Sequence, residues 1–206
     1  MAGWRYRTDV AAYYNHPKTT PVTPEQLRTV RNQLADGLSD ALGEIADAFH
    51  AGRMTLTQWA ERFAALIRQG TTAGWLLGSG GTNAVTNDVF ARIDALIAKQ
   101  TPFAEQFIRD LGQAQLSPEQ TRARAQLYAG TAVSSYESAM AYSNGIDLPT
   151  YPGMGDTECL GRCRCSWTIE TTDDEVMAWW DTAGDTNVCN SCLSLSQKYN
   201  PLRIAR

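Results

Sequence analysis

The sequence predicts a mainly α-helical protein: an antiparallel helical bundle carrying a small C-terminal cysteine-rich, zinc-binding module that contains a β-hairpin. Three observations predict it. Apolar residues recur every three or four positions through most of residues 23–142, several of these runs open on a helix-capping sequence, and all five cysteines lie between Cys159 and Cys192. Stripes and caps imply helices packed side by side across short connections. Cysteines confined to one late segment imply a separate stapled unit rather than a covalent framework for the whole chain.

Residues 1–22 carry Trp4, Tyr6, Tyr13 and Tyr14 among polar residues, with Pro17 and Pro21 and no sustained period, and read as an extended arm. Its aromatics could dock on the same chain or on a neighbouring subunit. Thr23-Pro24-Glu25-Gln26 starts a helix: Thr23 caps, Pro24 takes the first helical position, and Gln26 reaches back to the cap. Leu27, Val30, Leu34, Leu38, Leu42, Ile45 and Phe49 then form one stripe, and the helix ends near Gly52. Thr55 and Gln58 repeat the capping box for a second helix with Leu56, Trp59, Phe63, Leu66 and Ile67 on one face, folding back on the first.

The glycines between Gly78 and Asn83 break the pattern. A third helix is expected from about Ala84 to Lys99, with Val85, Val89, Ile93 and Ile97 inward, then an interruption at Pro102 and a shorter segment from Phe103 to Leu111. Ser117-Pro118-Glu119-Gln120 opens a last long helix through about Tyr142, burying Ala125, Leu127, Ala129, Ala132, Tyr136 and Met140. The body thus covers residues 23–146 and the cysteine-rich module 147–206, after a turn-rich bridge around Pro149 and Pro152. In the module, Cys165 to Ile169 alternates like a strand; Asp173, Asp174 and Glu175 read as a solvated loop leading into a carboxylate-rich helix start, and Trp179 and Trp180 as the small core.

A chain of 206 residues with 43% apolar and 19% charged content is neither disordered, collagen-like nor disulfide-dense. Its net charge of −4 supplies no global cationic field for nucleic acid or anionic lipid. No apolar window approaches the roughly 18–20 residues of a membrane span. The first ten residues lack the apolar run of a signal peptide, so a reducing compartment is expected.

Cys159, Cys163 and Cys165 precede Cys189 and Cys192 across an expected hairpin. Two close thiol groups brought to one place by a hairpin suit tetrahedral Zn²⁺, and metal ligation can supply folding free energy that so small a module lacks. Cys189 and Cys192 are read as ligands, joined by two of Cys159, Cys163 and Cys165; one thiol is left over. Two disulfides with one free thiol, and a redox Cys-x-x-Cys, are the competing readings. His16 and His50 stand far away in sequence and read as surface or helix-end imidazoles, so the metal is expected to be structural. No Gly-x-Ser-x-Gly elbow or phosphate-cradling Gly-Lys-Ser/Thr occurs. Arg162 and Arg164 could touch phosphate, yet two arginines make weak, salt-sensitive contact.

Residues 52–59, residues 148–167, and Cys189 to Cys192 together with residues 200–204 resemble minor head, or head morphogenesis, proteins of tailed bacteriophages, distantly those of the Mu-like family. Those proteins carry a Cys-x-x-Cys and a terminal Asn-Cys-Arg-Cys knot on a helical body. Here Arg162-Cys163-Arg164-Cys165 matches the knot with Arg for Asn, Cys189-x-x-Cys192 follows it, and Cys159 stands where that family often places His. The resemblance implies a non-enzymatic virion protein assembled in the bacterial cytoplasm, oligomeric in the particle, near the portal or the inner capsid face. Portal, major capsid protein and packaged DNA would be its partners. A nucleic-acid-binding zinc module and a virion-carried, toxin-like enzyme are the alternatives, Glu170 and Asp181 being the carboxylates an enzyme reading would test.

Overall fold

The computed structural model describes residues 3–7, 12–16, 21–81 and 86–205. Thr23 caps α1 (Pro24–His50) and Thr55 caps α2 (Leu56–Gly78), each with the reciprocal glutamine bond that its sequence predicts. α2 folds back on α1, and the α1 stripe closes on it: Leu38, Leu42 and Ile45 are buried with Trp59, Phe63 and Ile67 of α2. Trp59 stacks on Phe63 at 4.7 Å between ring centroids.

α3 (Asn87–Gly112) corrects the expected break at Pro102, because the helix runs through the proline. Proline costs the helix one amide bond to the carbonyl four residues earlier. Ala98 and Pro102 both lie on the exposed face, so water can satisfy that carbonyl. Phe107 and Leu111, beyond the proline, enter the same core as Trp59. Val85 and the expected start at Ala84 lie outside the described residues.

The single helix expected over 118–142 is two: α4 (Pro118–Leu127), capped by Ser117, and α5 (Gly130–Ser143). At the junction the amides of Tyr128, Ala129, Thr131 and Ala132 bond carbonyls three residues back instead of four. α5 runs through the centre, touched by α1, α2 and α3, and all of its residues from Gly130 to Ala139 are buried. Its hydroxyls tolerate burial because they are bonded: Thr131 donates to the Tyr128 carbonyl, Ser134 to that of Thr131, and Ser135 to that of Thr71 on α2. α2 approaches so closely that a Cβ at Gly74 would stand 2.2 Å from the Ala132 carbonyl oxygen. Leu127 and Met140, expected inside, are half-buried.

The N-terminal stretch, read as an extended arm, contains strands: β1 (Gly3–Arg7), β2 (Ala12–His16) and β3 (Pro21–Val22) form an antiparallel meander in that order. Val22 is anchored against Leu27 and Tyr136.

After the bridge, β4 (Ser166–Thr171), β5 (Glu175–Asp181) and β6 (Leu202–Ala205) make a second antiparallel sheet in the order β4-β5-β6, with α6 (Asn190–Lys198) between the last two strands in sequence. The segment from Glu175, expected to open a helix, is a strand. Its inward residues Val176, Ala178 and Trp180 alternate with half-buried Met177 and Trp179, a period of two that pairs with β4. Trp180, buried as expected, meets Trp167 edge to face at 5.3 Å. Among the described residues no helix is long and apolar enough to cross a membrane.

Candidate metal centre

Two chain segments bring the cysteines together. Leu160–Arg162 forms one turn of 3-10 helix between Cys159 and Cys163, and Cys165 directly precedes β4. A Cβ at Gly161 would meet the Leu127 carbonyl oxygen at 1.6 Å, so only glycine lets this turn lie on α4. The β4–β5 hairpin then returns the chain to Cys189, the residue preceding α6, with Cys192 one turn inside it. Glu158 clamps the segments: its carboxylate accepts from the Asn190 amide at the α6 N-terminus (3.1 Å), and its amide donates to the Ser191 hydroxyl (3.4 Å). α6 and this clamp are the parts of the site that the sequence conceals, since nine residues hold too short a stripe to announce a helix.

All five cysteines are free thiols in the structure. Their sulfurs form two triangles sharing Cys192: Cys159, Cys189 and Cys192 lie within 4.8 Å of one another, as do Cys163, Cys165 and Cys192. Sulfurs stand 3.6 Å apart for Cys159–Cys189, 3.6 Å for Cys163–Cys192 and 3.7 Å for Cys159–Cys192, and the Cys165 thiol contacts those of Cys163 and Cys192. Four sulfurs each about 2.3 Å from a central zinc stand about 3.8 Å apart. Three edges of this cluster already have that length, and the arrangement is compatible with a metal site.

The electrostatics point the same way. Burial pushes the Cys159 thiol up to about 11 and raises Cys192; Cys163 is raised by the neighbouring Cys165 thiol and by burial. Burial opposes ionisation of Cys189 too, but amide bonds from Cys192 and Cys159 bring it below the ordinary thiol range. Crowded thiols in a poorly solvated place resist becoming anions together, and a divalent cation is what reverses that balance.

The module is fastened to the body by a buried ion pair that the sequence does not reveal. Arg31 of α1 and Glu137 of α5 are each 1% exposed and bonded to one another. The second carboxylate oxygen of Glu137 accepts from the Trp167 amide at 2.9 Å, and Arg31 donates to the Cys165 carbonyl at 3.2 Å. Burial raises Glu137 above the usual carboxylate range, while Arg31 and the Trp167 amide hold it back.

The remaining candidates contribute no ligand atom to the thiol cluster. His50 bonds the Thr121 hydroxyl at 2.7 Å, in the body; His16 is in β2. Arg162 is exposed on the 3-10 turn, and Arg164 pairs with Asp185 at 2.7 Å. Arg164 also lines a cleft of about 720 Å³ between α1 and the module, where Arg28 is accompanied by the carboxylates of Glu25 and Asp181. Asp181 accepts the Thr168 hydroxyl, and Glu170 is exposed on β4. No protein-family model, curated protein or solved structure matches the chain.

Proposed function

We propose that this chain is a structural protein of a tailed-bacteriophage head, and that its cysteine cluster holds one structural zinc ion. The observation that carries the reading is the gathering of all five thiols at the junction of a helical body and a small sheet, within the residues that resemble the minor head family. With no enzymatic role, the zinc would staple the module, and the module would present a rigid end to neighbouring head subunits, the portal and the major capsid protein among them. The reading places the protein in the virion after assembly in the host cytoplasm, oligomeric there, with packaged DNA within reach. Zinc suits the donors because soft thiolates in a four-coordinate, closed arrangement are its usual structural ligands.

Two measurements test this. Protein purified under reducing conditions without chelator should contain about one zinc per chain. In a producing culture, the chain should sediment with assembled heads; a chain found solely as free monomer overturns the assembly role, and a zinc-free chain with reduced thiols overturns the metal.

A further inference from the structure

We infer that Cys159, Cys163, Cys189 and Cys192 are the four zinc ligands and that Cys165 is not one, an assignment that rests on the zinc reading above. Five thiols exceed the four positions of a tetrahedral site, and Cys192, shared by both sulfur triangles, belongs to any ligand set built on either. Around it, Cys159 at 3.7 Å and Cys163 at 3.6 Å are in contact, and Cys159 also touches Cys189 at 3.6 Å. These three contacts join Cys163, Cys192, Cys159 and Cys189 in one chain of sulfurs, already at the spacing of a zinc tetrahedron.

Cys165 stands differently. Its sulfur shares a triangle with Cys163 and Cys192 and contacts both thiols; like the Cys163 sulfur it lies outside the triangle of Cys159 and Cys189, but Cys163 also contacts the Cys159 thiol. Closing four sulfurs around one ion from this arrangement requires one of the two, Cys163 or Cys165, to move toward Cys159 and Cys189. Cys165 is held from its C-terminal side: its carbonyl accepts from Arg31, and two residues on, the Trp167 amide donates to Glu137, both parts of the buried ion pair. Cys163 follows the 3-10 turn and carries no such anchor on its own carbonyl or amide among the bonds of the ion pair. The Thr157 hydroxyl lies 3.2 Å from the Cys159 sulfur. Cys165 is left as a buried thiol packed with Trp167 and Trp180, where it behaves as a small apolar side chain.

The test is zinc content and affinity in the full-length chain and in Cys165→Ala, Cys165→Val, Cys159→Ala and Cys163→Ala, with helicity recorded by circular dichroism. Both Cys165 variants should keep one zinc, with the same Co(II) thiolate absorption as the unsubstituted chain. The Cys159 and Cys163 variants should lose affinity by more than about 100-fold, beyond the usual effect of removing a group outside the ligand shell. Retained zinc in Cys163→Ala with loss from folded Cys165→Val overturns the ligand set. Two zinc ions per chain would make Cys192 a bridge and overturn it as well. An unsubstituted chain that takes up no zinc defeats the underlying metal reading instead.

Discussion

Replacing Glu137 by Gln tests what fastens the module to the body. The substitution preserves size and leaves an oxygen to accept the Trp167 amide, but it removes the charge opposite Arg31, which is 1% exposed. Breaking a buried pair by neutralising one partner costs about 3–5 kcal/mol, because the other charge stays in a poorly solvated place. The bond from Arg31 to the Cys165 carbonyl and those to the Asn32 side chain remain, which puts the expected loss near the lower end, about 3 kcal/mol. In Arg31→Met with Glu137→Gln no charge is buried and the Trp167 amide stays satisfied. Only ordinary hydrogen bonds are lost, each contributing about 1 kcal/mol. The loss in the double variant should therefore be smaller than the sum of the losses in Arg31→Met and Glu137→Gln. Urea unfolding followed by circular dichroism measures all four chains of the cycle. A loss under about 1 kcal/mol for Glu137→Gln, or strict additivity, would refute the claim that the pair is a buried, mutually dependent contact.

Other consequences can be measured on the same protein. Gly74→Ala, with its new Cβ at 2.2 Å from the Ala132 carbonyl, should force α2 and α5 apart and lower stability by at least about 1–3 kcal/mol, read as a reduced urea midpoint. Trp59→Ala should cost about 3–5 kcal/mol, since Trp59 is fully buried among Phe63, Phe107 and Phe49, whereas Trp59→Asp should leave no folded body by circular dichroism. Chelation of a zinc-loaded chain should raise hydrogen exchange in residues 159–199 while the α1–α2 core keeps its protection. Zinc affinity should weaken as pH falls: the metal-free chain holds its thiol protons, with Cys159 up at about 11 and Cys163 and Cys192 also raised, and zinc must displace them. Competition with a chromophoric chelator at pH 8 and pH 6 measures this, and equal affinities would contradict it.

The helical body was legible because capping and periodicity are local. Thr23, Thr55 and Ser117 announce helix starts within four residues, and the stripes behind them show which sides meet. The cysteines were legible as one site for the same reason: two tight clusters flank a segment that alternates. Local rules failed where the environment decided. Proline reads as a break until Ala98 and Pro102 turn out to face water. Carboxylates at 173–175 suggest a helix start until the pairing of Val176 with Thr171 and Ile204 makes the next residues a central strand.

Composition and short-range pattern therefore contained the elements, the core stripes and the thiol set, each governed by neighbours a few residues away. Tertiary structure alone chose the centre of the bundle, because α5 is small and polar and becomes the most buried helix only through its satisfied hydroxyls and the glycine contact of α2. It also chose the partner of Glu137, 106 residues away in α1, and so the point where the cysteine loop is held. Charges so distant along the chain leave no mark in any local window, and their pairing is decided by how the packed helices exclude water between them.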